Sequence, residues 1–278
     1  MSRLDLSYHQ NQCVRQAGKL MQATEMVYPG ARVGVAVSGG VDSWVLLQTL
    51  LLRQRIVPFP FEIMALHVNP GFDPTSHAPL IPWLAERGLS GHIEVTKHGE
   101  RAHSSENRRR SSPCFYCAML RRTSLFRLCQ RYNLTHLAFG HTTEDLVSSF
   151  LMNAFQAGRI AGMSMKEPFF KGKLMVIRPL LTLEKPVIIK AAKQWDLPIW
   201  ANDCPSAGKT HRQSLMDDLG IFCDGHKTRK KNLFNALGRW QLEQSLARNA
   251  SFSETTLAQV GNVVEETTGE EGLPEEGY

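Results

Sequence analysis

The feature that most constrains this chain is the segment RVGVAVSGGVDS, residues 32–43. Its first half contains a short apolar run from Val33 to Val37, which is typical of a buried strand. A pair of glycines follows, and an apolar helical pattern then begins at Asp42. A buried strand that turns through glycines directly into a helix is a building unit of α/β proteins, so the segment predicts a fold of that class.

The turn itself, from Ser38 to Ser43, has the composition of a phosphate site. Glycine lets the backbone approach a ligand closely and adopt positive φ angles. The first amides of the following helix lack intrahelical partners and carry partial positive charge, which suits phosphate. The two serines add hydroxyl donors, and Asp42 is a carboxylate that can hold Mg²⁺ beside phosphates. A plain turn with a serine or aspartate cap is the alternative. A Walker A loop and a dinucleotide fingerprint are excluded, because their glycine patterns are absent.

At these residues the sequence resembles the PP-loop ATP pyrophosphatase superfamily, whose signature is SGGxDS. The resemblance implies an enzyme that adenylates a carbonyl or carboxyl oxygen with ATP, releases pyrophosphate and lets a nucleophile displace AMP. It further implies that Asp42 is catalytic. The residues that would bind the ATP phosphates and Mg²⁺ are Ser38, Gly39, Gly40, Asp42 and Ser43.

Composition and charge favour a globular protein with a polyanionic partner. The 278 residues are 42% hydrophobic and 21% charged, which fits one large α/β domain with an appendage. No apolar run of about eighteen residues and no signal-peptide pattern occur, so we expect a cytoplasmic protein that does not bind membranes. Residues 251–278 contain seven Glu and no Lys or Arg, which leaves a net charge of +13 on the first 250 residues. This excess favours a polyanion, with ordinary surface charge as the alternative.

Apolar runs alternate with helical patterns along the chain, which is the signature of parallel βαβ units. We therefore predict an α/β fold with a doubly wound parallel sheet and flanking N- and C-terminal helices. Predicted strands cover 33–37, 61–68, 91–96, 136–139, 174–177 and 197–200. Predicted helices cover 4–27, 80–87, 114–132, 143–155, 183–195 and 228–249, besides the one that begins at 42, and 97–113 and 158–173 are predicted loops. The predicted organisation is an N-terminal helix (1–30), a PP-loop domain with the cysteines (31–205), a basic helical region (206–250) and an acidic disordered tail (251–278).

Six cysteines in a chain of this kind predict metal or redox chemistry rather than a disulfide framework. Cys114 and Cys117 form a C-x-x-C at the start of a predicted helix, where the helix N-terminus stabilises thiolates. Two ligands do not complete four-coordination, so a further ligand must come from elsewhere. Cys204 is the best candidate, because it follows the last predicted strand and loops after parallel strands gather at one edge. Three cysteines would leave one vertex of a [4Fe–4S] cluster open for chemistry.

The other cysteines are weaker candidates. Cys13 and Cys129 fall within helical patterns and are expected in the core. Cys223 lies beside Asp224 and His226 and is a reserve ligand. For the C-x-x-C, a thioredoxin-like redox pair, a zinc site with a fourth ligand and plain core cysteines are the alternatives.

Further motifs narrow the resemblance. CFYCAMLRR, AFGHTTED, IRPL and NDCPS match in order the motifs of the TtcA family, and the similarity extends from about Val14 to Ala247. Members of that family are PP-loop tRNA 2-thiocytidine synthetases with a [4Fe–4S] cluster on three cysteines. The resemblance implies that Cys114, Cys117 and Cys204 hold the cluster and take part in catalysis. It also implies a nucleotide pocket formed by Leu66, His67, Val68, Gly140, His141 and Asp145.

Three departures from the family pattern bear on the substrate. Val41 stands where the loop usually has lysine, and HTTED replaces HHRDD. Only Cys204 is present where the family commonly has two closely spaced cysteines.

The implied reaction has two halves. ATP adenylates the C2 oxygen of a tRNA cytidine of the position 32 type, and sulfur at the open iron then attacks that carbon. The expected cofactors are a [4Fe–4S] cluster, ATP and Mg²⁺. The expected partners are tRNA and a sulfur donor, either a cysteine desulfurase or sulfide, and a homodimer is compatible with them. Three alternatives stay open: thiolation of another RNA position or a small molecule, a non-catalytic RNA-binding or iron-sensing relative, and a cluster-free ligase of the amide or lysidine type.

Overall fold

The computed structural model describes residues 5–107, 112–201, 203–206 and 211–267. Within these residues the chain forms one six-stranded sheet with helices on both faces. The strands are β1 (Arg32–Ala36), β2 (Glu62–Asn69), β3 (Gly91–Val95), β4 (His136–Ala138), β5 (Lys166–Phe169) and β6 (Leu174–Ile177). The helices are α1 (Tyr8–Ala23), α2 (Val41–Ile56), α3 (Leu80–Glu86), α4 (His98–Ala102), α5 (Pro113–Arg131), α6 (Thr143–Ala157), α7 (Lys185–Gln194), α8 (His211–Cys223) and α9 (Lys227–Thr267).

The strand order is β3-β2-β1-β4-β6-β5, and β5 is antiparallel to β6 while the other pairs are parallel. The chain builds outward from β1 to β3 and then returns to place β4 on the other side of β1. Val35 of β1 accordingly aligns with Ala65 of β2 on one side and with Ala138 of β4 on the other. This confirms the predicted doubly wound sheet. Ligands of such sheets bind beyond the carboxyl ends of the strands at the switch point, here between β1 and β4.

Two apolar layers hold the sheet. One packs α1, α2 and α7 on one face, with Trp44, Leu47 and Leu50 fully buried. The other packs α5 on the opposite face, around Leu66 and Leu137. Burying a side chain of this size stabilises the fold by ~1.5–3 kcal/mol, so the strand ends that surround the switch point are firmly supported. A third, smaller cluster joins α6, α8 and α9.

Two predicted loops contain regular structure. Within 97–113, α4 forms because His98 bonds to Ser124 at 2.9 Å (Nε2–Oγ) and Gly99 lies against the Phe72 ring. Within 158–173, β5 adds an antiparallel strand to the sheet edge. Both predictions were wrong for these segments, because short polar stretches that depend on distant partners show no periodicity. Pro168 is tolerated in β5 because the strand lies at the edge.

The predicted strand at 197–200 is also wrong. This segment joins no sheet, because Ile199 donates its backbone N–H to Leu197 O (2.8 Å) and Trp200 donates its own to Gly39 O (3.1 Å). Helix α1 is shorter than predicted, because Ser7 and Gln10 form a capping box at its start.

Helix α9 continues through residues 251–267, for which we predicted disorder; no proline interrupts this stretch, so nothing in the backbone chemistry stops the helix. Residues 268–278 lie outside the described residues. None of the described helices is long and apolar enough to cross a membrane.

Candidate active site

The glycine loop between β1 and α2 is fixed by its own serines. Ser43 accepts the backbone N–H of Ser38 at 3.0 Å and donates its hydroxyl to Gly40 O at 2.8 Å. Gly40 is the N-cap residue, so α2 begins at Val41 and its first amides face the loop. The loop is therefore a closed turn at the N-terminus of a helix, as the phosphate-site prediction requires.

Two glycines allow close approach at this turn. Gly39 has a φ of +91°, and a Cβ there would lie 2.2 Å from the Trp200 ring. Gly140, which follows β4, lies so near the loop that a Cβ would be 2.8 Å from Asp42 O. Neither position accepts a larger residue without moving its neighbours, so both glycines are required by the geometry.

A cavity of about 310 Å³ opens beside the loop at the switch point. Its walls come from the loop, the ends of β1, β2 and β4, and the facing sides of α5 and α6. The predicted nucleotide residues on its lining are Ser38, Asp42, Ser43, Leu66, Val68, Gly140, His141 and Asp145. The fold therefore brings together predicted residues from the glycine loop, from β2, from the segment after β4 and from α6. The cavity that they line has room for part of a nucleotide.

His67 differs from its predicted role, because it does not line this cavity. Its Nδ1 lies 2.7 Å from Val37 O, and its ring lies against Trp200 and His77. Successive residues of a strand point to opposite faces of the sheet, so Leu66 and Val68 face the cavity while His67 faces away. Burial lowers the pKa of His67 to about 4, so the imidazole is neutral at pH 7.

Asp42 is the most strongly perturbed acid of the cavity. Burial raises the pKa of its carboxyl, with Asp145 and Glu144 adding repulsion, although the ion pair with Lys185 opposes the change. Its second carboxylate oxygen, Oδ1, is buried and has no hydrogen-bond partner among the described residues. An unpaired buried carboxylate oxygen beside other acids is suited to a cation.

Lys185 was missed in the sequence, because its partners lie far away in the chain. Its backbone N–H donates to both carboxylate oxygens of Glu144 (2.9 and 3.1 Å), which brings the start of α7 to the start of α6. Thr143 reinforces the junction by donating its backbone N–H to Leu183 O at 3.0 Å. These contacts direct the Lys185 ammonium onto Asp42 in a loop whose own segment, 38–43, carries no basic residue.

The three predicted cluster ligands lie in one neighbourhood. Burial raises the pKa of the Cys117 thiol, and the nearby thiols of Cys204 and Cys114 raise it further. Cys114 Sγ is 3.9 Å from the backbone oxygen of Ser206, two residues beyond Cys204. All three are free thiols of intermediate exposure. In the described part of the chain, however, no group of three or more Cys, His, Asp or Glu side chains is close enough to form a metal site as it stands.

Arg121 lies between the cavity beside the glycine loop and the three predicted cluster ligands. It lines the nucleotide cavity, and its guanidinium attracts Cys117 and Cys204 electrostatically. Arg122 lines the same cavity. Both arginines lie one turn after Cys117 in the C-x-x-C helix, but only the packing of α5 over β2 directs them to the cavity beside the glycine loop.

The remaining cysteines stand apart. Cys13 and Cys129 are buried in the two apolar layers, and burial raises the pKa of each to about 12. Cys223, the predicted reserve ligand, is buried in the third cluster with Phe234 and Leu237.

Comparison with known proteins agrees with this geometry. A family model described as a PP-loop domain matches residues 9–215. The chain is 31% identical over 233 residues to the tRNA-cytidine(32) 2-sulfurtransferase of Geobacter metallireducens, covering 83% of this chain and 90% of the relative. It is 32% identical over 240 residues to the protein of the same name from Geotalea uraniireducens, covering 85% and 94%.

A solved structure shares the fold. It is the U34-tRNA thiolase NcsA from Methanococcus maripaludis with its [4Fe–4S] cluster, which matches with a TM-score of 0.65 and 21% identity over 84% of this chain and 80% of that one. At that identity the match concerns the fold alone. The family model and the curated relatives together cover most of the chain. The chain therefore belongs to the PP-loop family, in the branch that contains the tRNA-cytidine(32) 2-sulfurtransferases.

Proposed function

We propose that the protein is an ATP-dependent tRNA sulfurtransferase that replaces the C2 oxygen of cytidine 32 with sulfur. The observation that carries the proposal is the position of Arg121, which lines the nucleotide cavity and interacts with the thiols of Cys117 and Cys204. One side chain thus joins an activating site to a sulfur-handling site. The names of the curated relatives supply the substrate.

The first step is adenylation. The C2 oxygen of the cytosine attacks the α-phosphorus of ATP, a P–O bond forms, and pyrophosphate leaves with the electrons of the broken P–O bond. The amides at the start of α2 donate to the phosphates, and the hydrogen bonds of Ser43 to Ser38 and Gly40 hold the loop in the shape that presents those amides. Arg121 and Arg122 neutralise charge that develops on the departing pyrophosphate.

Asp42 and Lys185 have complementary parts in this step. The unpaired Oδ1 of Asp42 fits a Mg²⁺ ion that arrives with ATP. Lys185, which pairs with Asp42, supplies the cation that Val41 does not, and its ammonium would be available to a phosphate oxygen if the carboxylate held Mg²⁺. This exchange keeps the buried carboxylate compensated before and after ATP binds.

The donor set of Cys114, Cys117 and Cys204 fits a [4Fe–4S] cluster, since the three free thiols lie near one another and near the positive charge of Arg121. Such a cluster supplies, when bound, one iron that no cysteine ligates and that can hold an exogenous ligand. The protein's part is to bring these thiols together, Cys114 and Cys117 from the start of α5 and Cys204 from a later segment. Burial raises the pKa of Cys117, and the charge of Arg121 opposes that rise.

The second step is substitution at C2. Sulfur in the sulfide oxidation state attacks that carbon, a C–S bond forms, and AMP leaves with the former C2 oxygen. The incoming hydrosulfide loses its proton, so no oxidant or reductant is consumed. Sulfide itself or a cysteine desulfurase is the donor that we propose, and the cytoplasm is the compartment in which tRNA and ATP meet such a donor.

The test uses the full-length protein, purified and reconstituted with iron and sulfide without oxygen. It is incubated with Mg-ATP, sulfide and a tRNA transcript, and pyrophosphate release and nucleoside masses are measured. We expect tRNA-dependent pyrophosphate release and 2-thiocytidine. A transcript with uridine at position 32 is the matched control and should give neither. Pyrophosphate release without a thiolated nucleoside, or release independent of tRNA, would contradict the proposal.

A further inference from the structure

A second cavity of about 440 Å³ lies beside the first. It is enclosed by the second half of α6, the segment 160–164, the β5–β6 edge and α9. Its lining is mostly polar and includes Ser149, Asn153, Arg178, Trp240, Gln241 and Gln244. No part of the adenylation or sulfur transfer described above uses it.

Two residues of this cavity carry buried polar atoms without partners. Arg178 donates to Ser164 O and to Glu167, but its Nε has no acceptor among the described residues. Gln241 is buried on α9, and no donor within the described part of the chain reaches its side-chain oxygen. Unsatisfied buried groups are rare and destabilise the folded state. A donor and an acceptor in the wall of one cavity therefore suggest a ligand that offers the opposite pair.

An aromatic ring completes the wall. Trp240 is partly exposed and is held edge-on by Phe150, with ring centroids 5.6 Å apart. Gly162 makes room for the neighbouring Gln241, since a Cβ there would be 2.2 Å from the glutamine oxygen. An indole beside amide and guanidinium groups is the combination that recognises an unpaired nucleobase, by stacking and by hydrogen bonds to its edge.

The second cavity lies next to the proposed reaction site. Asp145 lines the first cavity, and Ser149 and Asn153, one and two turns further along α6, line the second. Arg178 is also close enough to Arg122 of the first cavity for that charge to lower its pKa, although burial is the larger cause.

The surroundings favour a polyanion. The start of α9 exposes a group of cations before Trp240, and Arg159 is exposed next to the segment that closes the cavity. Over residues 227–247 of α9, the exposed basic residues are Lys227, Arg229, Lys230, Lys231 and Arg239. Basic side chains around an aromatic pocket are the usual arrangement for binding single-stranded RNA.

We infer that the cavity between α6 and α9 binds an unpaired nucleobase of the RNA substrate that flanks the base being modified. The inference rests on the proposed function for the identity of the RNA. The base stacks on Trp240, and its edge pairs with Arg178 and Gln241. Binding there fixes the substrate strand so that the target base enters the first cavity.

The experiment compares Trp240→Ala and Trp240→Phe with wild type in the full-length protein. Fluorescence anisotropy gives the Kd for a labelled anticodon stem-loop at fixed salt, and pyrophosphate release gives the KM for ATP. Loss of one base stack should raise the RNA Kd roughly 5- to 150-fold, with a smaller rise for Trp240→Phe and no change in the KM for ATP. Phe222→Ala, which removes an exposed ring from α8, is the matched control.

A second variant guards against misfolding. Gln244 is exposed on the cavity rim, so Gln244→Glu adds a charge without removing a buried group and should weaken RNA binding severalfold. Gln130→Glu on the exposed side of α5 is the same chemical change elsewhere and should have no effect.

Three outcomes are informative. An RNA Kd unchanged in both Trp240→Ala and Gln244→Glu overturns the inference. A raised KM for ATP, or competition by free CMP with no change in RNA affinity, assigns the cavity to a small molecule and also overturns it. If wild type binds the stem-loop through Trp240 yet forms no thiolated nucleoside, the inference stands and the proposed function fails.

Discussion

The glycine loop and the three thiols form one candidate site but are built in different ways. The loop is contiguous in sequence, closed by bonds among Ser38, Gly40 and Ser43, and supported by fully buried side chains of α2. The thiols come from the start of α5 and from a segment ninety residues later. They are half-exposed and do not yet form a metal site in the described residues.

The difference shows which part of the chemistry is prepared in advance. Backbone amides at a helix start bind phosphate without rearrangement, so the loop is complete before ATP arrives. Thiols on separate segments acquire their final arrangement from the group that they ligate. The activating half should therefore survive loss of the sulfur half, and the first two predictions test that independence.

The largest expected effect comes from Asp42→Asn, which removes the buried charge from the proposed Mg-ATP site. Pyrophosphate release should fall on the order of 10²-fold or more, as when one electrostatic group of a reaction site is lost. Helical content measured by circular dichroism should not change. Asp217→Asn on the exposed side of α8 is the control. Retained activity in Asp42→Asn would mean that the loop is not the activating half.

Cys204→Ser should impair sulfur transfer while leaving the cleavage of ATP intact. Iron bound after anaerobic reconstitution should drop, and tRNA thiolation should fall by more than about 100-fold, the upper end of what losing a group that only orients a ligand costs. Pyrophosphate release should stay near the wild-type rate. Cys223→Ala changes a cysteine buried in the third apolar cluster and should keep its iron. Equal iron in the two variants would remove Cys204 from the ligand set.

Lys185→Met tests whether the glycine loop binds ATP fully without the Lys185 ammonium. The KM for ATP should rise about 10-fold or more with little change in kcat, since a hydrogen bond to a charged group contributes ~1.5–3 kcal/mol. Lys185→Arg should restore most of the affinity. Lys190→Met, on the exposed face of the same helix, should behave as wild type. An unchanged KM would show that the amides of α2 suffice.

The prediction with the smallest expected effect on activity concerns the stability of the strands beneath the loop and the thiols. Burial lowers the pKa of His67 and of His136 to about 4 in the folded protein, from 6.5. Above pH 6.5 both states are neutral and stability is complete. As the pH falls from 6.5 towards 4 the unfolded chain binds protons first, so the free energy of unfolding decreases by roughly 3 kcal/mol per histidine.

Urea unfolding at pH 7.5 and pH 5 measures this loss. His136→Gln should be less stable than wild type at pH 7.5 but should lose less stability between the two pH values. His226→Gln changes an exposed histidine and should retain the wild-type difference. The same pH dependence in both variants would contradict the assignment.

Local signals in the sequence predicted the sheet and the loop well. The strand that ends at Ala36, the glycine turn and the helix that starts at Val41 are close in sequence, so apolar period and glycine pattern define them. Cys204 does lie near Cys114 and Cys117, but the reason given for it was wrong, because the segment before it is not a strand and is held to the glycine loop by the bond from Trp200 N–H to Gly39 O.

The features that could not be predicted from the sequence depend on contacts between residues far apart in the chain. Lys185 reaches Asp42 only because Glu144 holds the start of α7, and no period in the sequence reports that contact. Arg121 was visible as a basic residue but not as a link between the halves. His67 was predicted to face the cavity because residues 66–68 were assigned to it as a block. Neighbouring residues of a strand face opposite sides of the sheet, so His67 faces away from Leu66 and Val68.

Trp200 lies four residues before Cys204, and its indole occupies the space that any side chain at position 39 would need. Its backbone also bonds to Gly39. Position 39 is therefore restricted twice, by a positive φ that favours glycine and by the indole of Trp200, so a smaller residue at position 200 would remove only the second restriction. A lineage that gave up its sulfur chemistry would still inherit that restriction from the nucleotide loop.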